Sequence, residues 1–140
     1  MDYFLEEINS LPEGIDAKKL EPFFEAIILD NNEFTIEFRL EMLFLLADKQ
    51  WHSYENINRE LGNKIAYWLC ANWNIESLDS TEKVTFVACN IGLKQVLDYC
   101  KSRLPEVSHN EVRQDIEEFI DEVGENIEDP YYKLKRINPY

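Results

Sequence analysis

Glycine and proline are scarce, with 4 and 5 in 140 residues. Scarcity of both argues against a turn-rich β fold. The glycines stand alone at positions 14, 62, 92 and 124, so no glycine-rich loop exists to cradle a phosphate. Histidine occurs only as His52 and His109. Both fall in expected loops or caps, which disfavours histidine acid–base chemistry and Ser/Cys–His nucleophilic catalysis. The three cysteines, Cys70, Cys89 and Cys100, are odd in number and match no zinc or redox spacing. Each lies in an apolar run, and they read as buried free thiols in a reducing compartment. No apolar run approaches the length of a membrane span. The start, MDYFLEEINS, lacks an apolar signal core, so a cytoplasmic location is expected. Basic residues are also few, 14 against 28 acidic ones, for a net charge of −14. Such a field repels nucleic acid and anionic membranes and attracts basic partners.

Apolar residues make up 45% and aromatics 13%, enough for a core without disulfides and against disorder. The length suits one helical domain over 1–140, with 1–14 and 130–140 peripheral. Thr81 to Leu104 is the organising stretch. Phe86, Cys89, Leu93, Val96, Leu97, Cys100 and Leu104 recur at helical steps, while Val84, Val87, Ala88 and Ile91 line the other side of its first half. Asp79 or Ser80 can cap its start, and Asn90 with Gly92 can split it in two.

Around it, residues 2–10 read as a short helix and Asp16 opens another segment. Pro22 suits the first turn of a helix ending near Leu29. Residues 34–42 alternate apolar and polar like a strand, and a hairpin with 24–29 competes. The run continues to Ala47 through strong helix formers, so the helix is the reading taken. A loop over Asp48–His52 follows. Ser53 can cap a helix with the stripe Tyr54, Ile57, Leu61, Ile65, Trp68 and Leu69. After Pro105, Ser108 and Glu111 form a capping box. Val112, Ile116, Phe119, Ile120, Val123 and Ile127 then make the cleanest amphipathic stripe. Tyr131, Tyr132 and Leu134 can dock the tail. The expected fold is all-α: five to seven antiparallel helices in stacked hairpins, as a bundle or a short HEAT-like solenoid.

The charge is unevenly placed: −9 over residues 1–48, +1 over 49–104, −9 over 105–129 and +3 over 130–140. Glu111, Asp115, Glu118, Glu122 and Glu125 form one ridge of the helix after Ser108, with Glu117 and Asp121 nearby. Like charges four residues apart cost about 0.2–0.5 kcal/mol each in an isolated helix, and Arg113 is the one base among them. Runs of this kind are usually just solvated faces. The functional alternative is a surface for a basic protein, with Glu111, Asp115, Glu118, Asp121, Glu122 and Glu125 as binding residues. A metal site is not expected, because the one Glu-x-x-His, Glu106 to His109, straddles a predicted cap. Paired acids for glycoside chemistry would need a deep cleft, of which the sequence carries no sign. Trp68 is expected in the core. Trp51 and Trp73 are expected to pack there too, with interface anchoring as the alternative.

The run FRLEMLFLLADKQ, then IAYWLC, VTFVACNIGLKQVLDYC and IEEFIDEVGENIEDPYYKL, spans roughly 34–134. In pattern and charge it resembles the small, acidic, all-helical immunity proteins of bacterial polymorphic toxin systems, some with HEAT-like repeats. The resemblance implies a non-enzymatic, cofactor-free inhibitor that binds a cognate toxin with a basic surface, such as a nuclease. It carries over no specific residue. A helical-repeat adaptor without a toxin partner is the alternative, and a mimic of nucleic-acid phosphates is a further one.

Overall fold

Short polar side chains hold the first free amides of four helices. Asp16 accepts from the Lys18 amide at the start of the helix over Ala17–Ile28. In the computed structural model, which describes residues 2–12, 14–30 and 33–130 (side chains at 2, 3 and 125 excepted), seven α-helices follow one another. They are α1 (Asp2–Ser10), α2 (Ala17–Ile28), α3 (Ile36–His52), α4 (Arg59–Asn72), α5 (Leu78–Ile91), α6 (Lys94–Arg103) and α7 (Asn110–Val123). Thr35 caps α3, Asn58 caps α4 and Ser77 caps α5, each accepting from an amide three residues on. The fold is all-helical, and no strand occurs among the described residues.

Several boundaries differ from the sequence expectation. Residues 36–52 are one helix, so the alternation over 34–42 does not mark a strand. Helix α3 packs against α1, α2 and α5, and apolar residues on most of its sides are therefore buried. It also runs through the loop expected at Asp48–His52. Ser53 ends α3 rather than capping α4, and Tyr54 follows with φ +57 as an exposed loop residue. Helix α5 starts before Asp79 and Ser80, because Ser77 is the residue whose oxygen reaches the free amides. Helix α7 starts after His109 with no side-chain cap bond, so the Ser108–Glu111 box does not form. Pro22 lies inside α2 instead of in its first turn, at an exposed position where the lost amide bond faces water. Tyr131, Tyr132 and Leu134 lie outside the described residues.

The long apolar stretch breaks at Gly92. Its φ of +85 belongs to the left-handed region, and the amides of Gly92 and Leu93 both donate to the Ala88 carbonyl at 2.9 Å. A Cβ there would sit 2.8 Å from the Ile127 carbonyl oxygen, so the last described segment closes over this elbow. Consequently the expected continuous stripe is not one face. Thr81, Val84, Thr85, Val87, Ala88 and Ile91 are buried on α5, while Phe86 and Cys89 are only half-buried.

The helices form two layers. Helices α1, α3, α5 and α7 pack side by side in that order, and α2, α4 and α6 make the second layer. Helices α3 and α5 run parallel: Glu41 meets Lys83, and three residues further along each helix Phe44 stacks on Phe86. Arg39 ties the layers together. Its Nε and Nη2 donate to the carbonyls of Ile27 and Ile28 at 2.8 and 3.0 Å, ending α2, and its guanidinium lies 4.8 Å from the Trp68 ring centre on α4.

Two substitutions test this architecture. Arg39→Lys keeps the charge but cannot serve both carbonyls and the ring together, and should cost about 1–2 kcal/mol in urea unfolding. Gly92→Ala should cost more than about 1 kcal/mol, from backbone strain plus the clash with Ile127.

Candidate partner-binding face

Helix α7 buries Val112, Ile116, Phe119 and Val123, and this turns its acidic ridge outward beside α5. Glu111, Glu118, Asp121 and Glu122 are exposed, as is Glu117. Glu125 lies past the end of α7, and its side chain is outside the described set. Asp115 differs from the rest. It is half-buried, and its Oδ2 accepts a 3.0 Å hydrogen bond from the Thr85 hydroxyl on α5. Burial pushes its carboxyl above the ordinary carboxylate range. The Thr85 bond opposes that rise, and the charges of Glu82 and Glu118 add to it. The ridge therefore continues onto α5 through Glu82.

Four carboxylates on the α7 side of this face, Glu111, Glu117, Glu118 and Asp121, have no basic partner among the described residues. Arg113 points elsewhere, donating to the Val107 carbonyl. Towards α3, Lys83 lies between two carboxylates, 2.9 Å from Glu41 and 3.0 Å from Asp79. The hydrogen bond to Glu41 is the main cause holding its ammonium above the ordinary lysine value, with burial opposing and Asp79 adding. That trio still carries a net negative charge.

Phe44 and Phe86 lie beside it. Their ring centres are 4.2 Å apart, stacked, and both side chains are half-buried. The outer side of α3, α5 and α7 thus combines an apolar pair with carboxylates from three helices. Charge follows the layers. Helices α1, α3, α5 and α7 carry −3, −1, −1 and −5, or −10 together; α2, α4 and α6 carry 0, +1 and +2, or +3 together. Of the −9 over 1–48, −5 lies on α1 and on α3 up to Asp48, and of the −9 over 105–129, −5 lies on α7; the rest falls in the connecting and flanking segments.

Sequence periodicity found the α7 ridge but missed Glu41, Asp79, Glu82 and the pairing of the half-buried Phe44 and Phe86. Only the adjacency of α3, α5 and α7 brings these together. Trp68 is in the core, whereas Trp51 and Trp73 are half-buried. Trp73 donates from Nε1 to the Thr81 hydroxyl at 2.9 Å, fastening α4 to α5. Cys100 is buried, but Cys70 and Cys89 are half-buried rather than fully enclosed. Burial pushes the Cys100 thiol up to about 12, with smaller contributions from Cys70 and Asp115, and it raises Cys70 as well. Both thiols therefore stay protonated at neutral pH. Among the described residues, no three His, Cys, Asp or Glu side chains converge to hold a metal ion. A cleft of about 680 Å³ opens between the starts of α4 and α6, where Asn63 and Gln95 bond to each other. Its lining contains no His, Cys, Ser or Thr. No helix among the described residues is long and apolar enough to cross a membrane. Compared with known proteins, the chain matches no family model, no curated protein and no solved structure.

The raised Asp115 carboxyl gives a signed prediction. A carboxyl raised in the folded state favours folding while protonated, and that contribution is lost as pH rises through the raised value. At pH 7 its charge therefore costs stability. Asp115→Asn keeps an oxygen for the Thr85 hydroxyl and removes repulsion with Glu111 and Glu118. It should stabilise the protein at pH 7 by about 0.2–0.5 kcal/mol per relieved pair. The advantage should vanish near pH 3, as read by paired thermal melts.

Proposed function

We propose that this protein is a non-catalytic inhibitor of the immunity type, which binds and neutralises a cognate toxin with a basic surface through the outer side of α3, α5 and α7. The observation that carries the reading is the segregation of charge by layer, with a half-buried aromatic pair on the acidic side. A carboxylate-rich surface steers a basic partner into encounter, and a desolvated aromatic centre supplies burial once it docks. Glu111, Asp115, Glu118, Asp121 and Glu122 form the α7 part of the surface, and Glu41, Asp79 and Glu82 extend it. A nuclease is the toxin class that fits best, because its substrate groove is already built for phosphate charge. The carboxylates would occupy that groove and block it sterically and electrostatically. The cytoplasm, where such a toxin would act, is the proposed location.

The experiment is to sequence the flanking genes, co-express this chain with any toxic domain they encode, and measure the affinity. Protection is expected, with association that slows as salt screens the charges. Replacing Glu111 and Glu118 by Lys should weaken binding by roughly 10-fold per reversal. The melting temperature should change little, since relief of like-charge pairs is offset by loss of the acid in the first turn of α7. Unchanged affinity in the double variant would remove α7 from the interface; failure to protect would leave the helical adaptor as the better reading.

A further inference from the structure

The second layer carries a different surface. An apolar groove of about 450 Å³ lies between the end of α2 and the middle of α4, lined by Ile28, Leu29, Glu60, Lys64, Tyr67 and Trp68 among others. Leu29 is 69% exposed and Tyr67 is 79% exposed. Trp68 is nearly buried and held by Arg39. Large apolar side chains left in water beside a preformed groove mark a surface that is covered in use. Glu60 and Lys64 flank it on α4, four residues apart in the order that favours an ion pair. Even so, among the described residues neither makes one.

We propose that a second copy of the chain closes this groove, with α4 packed antiparallel on its symmetry mate across a two-fold axis. That arrangement sets Glu60 of each copy against Lys64 of the other, so the two unpaired charges complement themselves. It also covers Leu29 and Tyr67 of both copies. Net charge selects the same face. Two chains of −14 repel each other, and most strongly where the layer of −10 would meet itself. The layer of +3 is where a like copy meets the least repulsion, whereas a basic partner is drawn to the opposite side. The dimer thus leaves both acidic faces pointing outward. This inference does not depend on the proposed toxin, since it concerns the chain alone.

Sedimentation equilibrium on the full chain tests it, with loading up to about 1 mM at low and high salt. A reversible dimer is expected, and it should tighten as salt screens the shared negative charge. That is the opposite sign to the binding of a basic partner. Tyr67→Glu should weaken the dimer by about 30-fold or more without lowering the melting temperature, because the site is exposed. Glu60→Lys and Lys64→Glu should each weaken self-association. Mixing those two variants should restore it, because only the mixed dimer sets opposite charges together. A chain that stays monomeric at the highest loading overturns the proposal. So does a mixture no tighter than either variant alone.

Discussion

Helix α5 is thin, and the arrangement of the acidic layer depends on that. Its buried positions are Thr81, Val84, Thr85, Val87, Ala88 and Ile91, with nothing larger than isoleucine. Small side chains let α3 and α7 approach from both sides. The same narrowness brings the Thr85 hydroxyl within reach of Asp115 and Lys83 within reach of Glu41. A Leu or Phe at position 85 or 88 would push the neighbours apart and separate the carboxylates on α3, α5 and α7. The spacing of the surface charge is therefore a packing property of the core beneath it.

Connectivity converts a linear pattern into a layered one. Consecutive helices alternate between layers, so every second helix shares a side. The stretch 49–104 looks neutral as a block, with a net charge of +1. Inside it, α4 at +1 and α6 at +2 belong to one layer and α5 at −1 to the other. Averaging over the block hid that alternation. Helix content was legible because 3.6-residue periodicity and helix-forming residues agree over most elements. The α7 ridge was legible for the same reason, as a periodic set of acids beside a periodic apolar stripe.

What was not legible depended on choices between near-equal local options. Ser53 and Asn58 are both good caps, and only the turn at Tyr54 leaves Asn58 next to the free amides. Ser77, Asp79 and Ser80 compete in the same way, and Ser80 turns its hydroxyl to the Asn74 amide instead. Phe86 and Cys89 fit an apolar stripe on paper. Gly92 ends the helix just after them, both stay half-buried at the edge of the core, and Phe86 stacks on Phe44 of α3. Tertiary adjacency was the missing information throughout. Periodicity says which residues share a side of one helix, but not which helix lies beside it.

Magnitudes explain how α7 persists although Glu111, Glu117, Glu118 and Asp121 make no ion pair among the described residues. Each like-charge pair four residues apart costs about 0.2–0.5 kcal/mol, and solvent and salt reduce that for exposed carboxylates. Burying one Val, Ile or Phe side chain returns about 1.5–3 kcal/mol before entropy is charged. Val112, Ile116, Phe119 and Val123 are all buried against α5 and α6. One such residue outweighs several repulsive pairs, so the apolar stripe holds the ridge in place. Selection for stability alone would have placed lysines between them at little cost. The apolar stripe is thus enough to hold α7 against its own charge, and folding leaves the distribution of acids along its exposed side unconstrained.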